Sequence, residues 1–490
     1  MQFGFVIDQE ACIGCHACTV ACKAENNVPV GDFRTWVKYV EIGRFPDVKR
    51  HFAVLRCNHC TDAPCVAICP VNALVKREDG IVDVDRQACI GCRACMQACP
   101  YDALYMNEDL HAVEKCHFCA HRVEKGLEPA CVTVCPVGAI IPGDFHDPDS
   151  PVSRLIRERE TLRRREEQGT GPNVHYIGAP KEALEPEMAE TPSAFLWSER
   201  PNRKPETMIN PAPAEGDARV VWNAEHRVEW GWPVSLYLGT KSLAAGAAMV
   251  APFAAWLGAK GFVADFFFEI LALVFTIVTA FLLVVDLGKK WAFYRLLTRP
   301  NRGSWLVKGA WILGAFSVVL VLSLYFQWIR EPVAAGFFRW FAAILGFAVA
   351  GYTAFLFAQC KGRDLWESKI LLPHLIALAI LCASGLALWI APTNGVVIGV
   401  FVLSAVSHGA LAVFERYRKH ETANARQAAH YLSVVRVGPF RAFREGLLVG
   451  CVLAILAAFL LPWLALPLSL IGMTLYEHAY VRAAQLPSLS

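Results

Sequence analysis

Two kinds of hydrophobic patterning divide this chain. Through residue 180 the apolar residues come in short runs broken by charged and turn-forming residues, which predicts short strands and brief helices. Ile81-Val82-Asp83-Val84, directly after the Asp79-Gly80 turn, reads as one such strand, and residues 151–168, with alternating Arg and Glu, read as a charged helix. From 181 to 231 the pattern gives way to Pro, Ala and Glu (Pro186, Pro192, Pro201, Pro205, Pro211, Pro213), the composition of an extended linker without a packed core. Beyond Trp232 come eight apolar stretches, at 232–258, 262–287, 304–328, 333–359, 368–391, 395–415, 441–461 and 463–482. Most have the roughly 20 residues needed to cross about 30 Å of hydrocarbon. The pattern predicts an α+β polar domain over 1–180, a Pro-rich linker over 181–231, and an all-α integral membrane domain of eight transmembrane helices over 232–482.

Composition agrees with a polar part joined to a membrane part, because a hydrophobic fraction of 55% coexists with 19% charged residues. The net charge of +3 is too small to argue for nucleic acid, and what matters is where the positive charges sit. If the spans alternate, three inter-span loops lie on the side of the N-terminal domain. They hold Lys289, Lys290, Arg295, Arg299 and Arg302; Lys361, Arg363 and Lys369; and Arg416, Arg418, Lys419, Arg426, Arg436, Arg441 and Arg444. The opposite side has only Lys260, Arg330 and Arg339. The positive-inside rule then puts the N-terminal domain in the cytoplasm, on a bacterial inner membrane. The opening Met-Gln-Phe-Gly-Phe-Val-Ile-Asp also lacks the basic and apolar regions of a cleavable signal peptide.

Of nineteen cysteines, sixteen fall between Cys12 and Cys135 in four groups. The first is Cys12, Cys15, Cys18 and Cys22; the second Cys57, Cys60, Cys65 and Cys69; the third Cys89, Cys92, Cys95 and Cys99; the fourth Cys116, Cys119, Cys131 and Cys135. Three closely spaced thiolates on one loop can reach three irons of a cubane, while a fourth, set apart and commonly followed by proline, turns to a neighbouring cluster. Groups one and three have the ferredoxin spacing, and in groups two and four one interval is lengthened. Sixteen ligands suffice for four [4Fe–4S] clusters. Zinc ribbons need neither the third cysteine nor the trailing Cys-Pro, and disulfides do not suit a cytoplasmic domain. Cys360, Cys382 and Cys451 sit in apolar runs and read as small core residues.

These motifs carry a resemblance. With Asp79-Gly80-Ile81-Val82, Cys99-Pro100-Tyr101, Pro129-Ala130-Cys131-Val132, Asp147-Pro148-Asp149-Ser150 and Gly171-Pro172-Asn173-Val174, residues 1–178 resemble the four-cluster electron-transfer subunits of complex iron–sulfur molybdoenzymes, of the dimethyl sulfoxide reductase type. The resemblance implies a double ferredoxin-like fold with nested pairing. Cys12, Cys15 and Cys18 would share a cluster with Cys135, and Cys116, Cys119 and Cys131 one with Cys22. Cys57, Cys60 and Cys65 would take Cys99, and Cys89, Cys92 and Cys95 would take Cys69. It also implies that the third-group cluster lies nearest the membrane and the first-group cluster nearest a catalytic partner. Residues 230–482 resemble the NrfD/polysulfide reductase type of anchor, which lacks haem and handles quinone. The resemblance rests on Leu236-Tyr237-Leu238, Leu243-Ala244-Ala245-Gly246 and Ser304-Trp305 through Gly309-Ala310-Trp311. Lys241 departs from the small apolar residue usual there.

Ionisable residues inside spans are functional candidates by default. They include Lys241, Asp286, Lys308, His374, His408, Glu415 and Glu477 near the N-terminal-domain side, and Asp265 and Glu269 towards the other. Tyr237, Lys241, His374 and His408 are the candidates to bind a quinone (ubiquinone or menaquinone). A transmembrane cytochrome needs histidine pairs between helices, and His374, His408 and His478 each stand alone on their helices. No pterin, flavin or nucleotide signature appears, so substrate chemistry is expected in a separate molybdenum or tungsten bis-pterin subunit, in a sulfite-oxidising or related respiratory complex. The rival readings are a proton-translocating membrane module and an electron feeder to a cytochrome partner.

Overall fold

The computed structural model describes residues 1–191 and 217–490. Its N-terminal half is built on a four-stranded sheet in the order Ile140–Asp144, Phe3–Asp8, Val174–Ile177, Thr161–Leu162. Phe3–Asp8 runs antiparallel to the first of these and parallel to Val174–Ile177. Phe5 and Ile7 point into one core with Val174 and Tyr176, while Val6 faces Val152 on the other side, as the two-residue period of a strand requires. Two short hairpins, Leu74–Lys76 with Val82–Val84 and Leu104–Asn107 with Ala112–Lys115, lie between the second, third and fourth cysteine groups.

Two expectations meet corrections here. The helix expected over 151–168 ends at Glu158, because the arginines beyond it are claimed by tertiary partners. Arg159 pairs with Asp8 at 3.0 Å and Glu10 at 2.7 Å, and Arg164 turns inward to donate to the Leu489 carbonyl at 2.6 Å. The described flanks of the expected linker are packed rather than extended. Ala189–Glu190 and Ala218–Trp222 complete a second four-stranded sheet with the hairpin Thr35–Arg44 and Asp47–Arg56. Ala183, Leu184, Ala189, Ala218 and Val220 are buried in its core, so a few small apolar residues suffice to seat these short strands. Pro192, Pro201, Pro205, Pro211 and Pro213 lie outside the described residues.

Seven helices are long and apolar enough to cross a membrane: Trp232–Phe253, Val263–Val285, Trp305–Trp328, Pro332–Ala358, Leu371–Ile390, Gly395–Tyr417 and Ala442–Leu460. The first is 89% buried and forms the axis of the bundle, whereas the second, third and sixth turn most of their surface outward. A further helix, Pro462–Ala483, is long enough but less apolar, because Tyr476, Glu477, Tyr480 and Arg482 stand on it. It starts beside the end of the fifth span, where Trp389 Nε1 donates to the Trp463 carbonyl, and ends against the N-terminal domain, where Gln97 Nε2 donates to Gln485 Oε1 at 3.0 Å. Gly450 and Gly472 let this helix and the seventh span touch backbone to backbone, the usual role of small residues at membrane helix crossings.

Two of the three basic loops lie directly on the N-terminal domain. Lys289 N and Gly288 N donate to the carbonyls of Ile90 and Gly91, and Asn301 N to that of Pro70. Ser304 Oγ donates to the Ile68 carbonyl at 2.7 Å, and Arg363 Nε to Gln97 Oε1 at 2.8 Å.

Candidate cluster and membrane sites

The sixteen cysteines come together as four quartets, none taken from a single group. Cys12, Cys15, Cys18 and Cys135 line one small cavity, Cys22, Cys116, Cys119 and Cys131 a second, and Cys69, Cys89, Cys92 and Cys95 a third. Cys57, Cys60, Cys65 and Cys99 face one another closely enough for each thiolate to disfavour the next. Local backbone makes this possible. Gly14 and Gly91, both at φ +70°, turn the Cys-x-Gly-Cys loops so that successive thiols point to the same side. The short helices Ala17–Asn26, Pro64–Ile68, Ala94–Ala98 and Ala130–Thr133 then supply the next cysteine from their first turns.

The quartets fit iron–sulfur cubanes. In three of them the four thiols are arrayed around a cavity, as the corners of a cubane require. Backbone N–H groups donate to the sulfurs, Ala73 to Cys69 at 3.2 Å, Ala139 to Cys135 at 3.3 Å and Gly91 to Cys89 at 3.4 Å. Such bonds stabilise thiolates and the added electron on a cluster. Burial acts the other way, pushing the Cys18 thiol up to about 11 and those of Cys99 and Cys116 up to about 12. These thiols become thiolates only when a cation such as iron replaces their protons.

Where the third quartet meets the bundle, the structure opens an apolar cavity of about 330 Å³. Its wall includes Ile90 and Cys92 from the cysteine loop, Trp230, Tyr237 from the first span, Asp286 at the end of the second, Gly314 from the third and Tyr352 from the fourth. Trp230 joins the two sides, donating from its indole Nε1 to the Cys92 carbonyl at 3.2 Å.

Of the residues singled out for the membrane site, Tyr237 lines this cavity and Lys241 lies behind it. The Lys241 ammonium sits over the Tyr352 ring at 4.8 Å and donates to the Thr353 hydroxyl at 2.5 Å. His374 and His408 do not line the cavity. They meet each other instead, at 2.7 Å between Nε2 and Nδ1, with the Tyr476 hydroxyl 3.4 Å from His374 Nδ1. Each still stands alone on its own helix, and the meeting is between helices. Nitrogens hydrogen-bonded to each other at that distance leave no room for a metal ion between them. Asp265 and Glu269 lie at the other end, where Arg339 pairs with Glu269 at 2.6 Å and donates to the Asp265 carbonyl at 2.6 Å. Trp230 went unnoticed in the sequence, although Glu-Trp-Gly-Trp at 229–232 marks an aromatic entry to the first span.

Family models match most of this architecture. Residues 220–462 match "Polysulphide reductase, NrfD", residues 48–145 a 4Fe-4S dicluster domain, and residues 3–24 a 4Fe-4S binding domain. The putative dimethyl sulfoxide reductase iron–sulfur subunit of Halobacterium salinarum is 44% identical over 206 residues, 36% of this chain and 79% of the relative. This protein belongs to that family of iron–sulfur subunits, joined here to an NrfD-type membrane domain. The arsenate respiratory reductase iron–sulfur subunit of a Shewanella species is 37% identical over 227 residues, 36% of this chain and 96% of the relative. A sulfite dehydrogenase subunit of Allochromatium vinosum is 39% identical over 198 residues, 36% of this chain and 82% of the relative. The protein is therefore a multi-pass membrane protein with a [4Fe–4S]-binding electron-transfer domain, a component of an oxidoreductase complex.

Proposed function

We propose that this chain carries electrons through four [4Fe–4S] clusters between a molybdenum or tungsten bis-pterin catalytic subunit and membrane quinone. The observation that carries this reading is the apolar cavity that shares its wall with Cys92. A quinone ring there would stand beside the third quartet, with the Tyr237 hydroxyl as a hydrogen-bond donor and Lys241 behind it. The nested quartets hold the clusters, Cys12, Cys15 and Cys18 with Cys135 nearest the catalytic partner. Pro462–Ala483 is read as an eighth span, which returns the chain to the side of the cluster domain. The basic loops make that side cytoplasmic, on a bacterial inner membrane. A quinone-reducing dehydrogenase that oxidises sulfite or a related oxyanion suits a catalytic partner on that face.

The test is to fill the cavity. A Cβ on Gly314 meets nothing within 4 Å, so Gly314→Leu projects into open space without displacing the fold. The purified complex carrying Gly314→Leu should keep its iron and its dye-linked substrate oxidation while quinone turnover falls at least about tenfold. Quinone turnover at the wild-type rate would place the site elsewhere.

A further inference from the structure

Arg56, the last residue of the strand Asp47–Arg56, is wholly buried, yet among the described residues no carboxylate pairs with it. It lines the cavity of Cys22, Cys116, Cys119 and Cys131. Its Nη1 donates to Cys131 Sγ at 3.3 Å and its guanidinium lies 4.5 Å from the Phe5 ring centroid. Among the described residues Nε and Nη2 have no acceptor. The other arginines that line a cysteine cavity are balanced. Arg34, in the same cavity, pairs with Glu114 at 3.2 Å, and Arg93, beside the third quartet, pairs with Glu229 at 3.1 Å.

A guanidinium does not shed its proton, so Arg56 is a permanent buried charge. Burying an ion without a counter-ion is strongly unfavourable. The four thiolates with their iron core carry a net negative charge and include the acceptor that Arg56 touches, Cys131 Sγ. Each electron accepted from a neighbouring cluster adds one negative charge to that centre, and Arg56 stabilises the added charge in a medium of low dielectric constant. Charge and hydrogen bonds to sulfur are among the levers that set cluster potentials. The Arg56 charge also acts on Cys18 of the first quartet, so it stands between two stations of the path.

We propose that Arg56 is the tuning residue that raises the reduction potential of the Cys22–Cys116–Cys119–Cys131 cluster, the cluster serving as its counter-ion. This inference rests on the four-cluster reading above. It is tested by redox-poised electron paramagnetic resonance of the purified complex with Arg56→Gln and Arg56→Lys. In Arg56→Gln one cluster signal should titrate at lower potential. At a fixed potential the ratio of reduced to oxidised cluster should fall at least tenfold, a shift of about 59 mV or more. Arg56→Lys, which keeps the charge, should stay close to wild type. Unchanged midpoints in Arg56→Gln, or equal shifts in both variants, would overturn the proposal. If Arg56→Gln loses the cluster altogether, Arg56→Lys must still assemble it with a near-wild-type midpoint. Failure of both variants to assemble would make Arg56 a packing residue and end the proposal. The underlying reading fails separately, if the wild-type complex holds well under about sixteen irons per chain.

Discussion

The cluster domain and the membrane domain both bury polar groups, but they assemble them differently. In the cluster domain each site takes three of its four thiols from one stretch of chain, and the nearby backbone N–H groups come from the same loops. In the membrane domain the partners are far apart in sequence. Lys241 meets Thr353 across 112 residues, Glu269 meets Arg339 across 70, and His374 meets His408 across 34. The first arrangement is written in spacing and turn chemistry. The second exists only once helices have packed, so it depends on rotation and crossing as much as on residue type.

The widest break between the two regions is expected at their junction. Cys92 belongs to the third quartet and also lines the apolar cavity. Cys92→Ser should abolish electron exchange with quinone while dye-linked activity in the catalytic subunit survives. Loss of dye activity in an assembled complex would show that the third quartet is not the membrane-facing station.

A smaller effect separates two polar sites within the bundle. Tyr237→Phe removes the one phenol that the first span presents to the cavity and should lower quinone turnover about tenfold, the scale of one lost hydrogen bond. His374→Ala, in the separate cluster with His408 and Tyr476, should lower it less. The reverse order would move the quinone site to the histidines.

This contrast also explains what was legible beforehand. The cysteine groups were readable because cubane chemistry fixes intervals, and the spans because hydrocarbon thickness fixes length. The meeting of His374 with His408 was not, since neither carries a sign of its partner. Nor was the burial of Arg56 without a carboxylate partner among the described residues. The helix expected over 151–168 failed because Arg159 and Arg164 gain more from tertiary partners than from a solvated helix face. The strand Ala218–Trp222 escaped notice because a five-residue strand after a run of prolines has too little periodicity to register.

Stability offers a third test of the same contrast. Glu269 and Arg339 form a buried ion pair between the second and fourth spans. Arg339→Met leaves the carboxylate buried without its partner and should cost about 3–5 kcal/mol, whereas replacing both residues by apolar ones should be close to neutral. Thermal unfolding in detergent distinguishes these outcomes. Equal losses in the single and double variants would mean that packing, not charge pairing, is what the arginine contributes.

The last test belongs to the cluster domain and to protons rather than metals. His175, on the strand Val174–Ile177, stacks near Phe145 and shares a 3.0 Å hydrogen bond between Nδ1 and the Thr161 hydroxyl. Burial pushes its ring down from 6.5 to about 4. The unfolded chain therefore binds a proton here at a pH where the folded chain does not. The contribution of His175 is full above about pH 6.5 and is lost progressively as the pH falls to about 4, reaching at most about 3 kcal/mol. His175→Gln keeps a hydrogen-bonding side chain but has no proton to gain, so its loss of stability between pH 6.5 and 4 should be shallower than that of wild type. Denaturant unfolding of the whole complex at closely spaced pH values, followed by amide hydrogen exchange of the strand Val174–Ile177, reads this directly. Parallel curves for the two proteins would assign the acid sensitivity of the domain to groups other than His175.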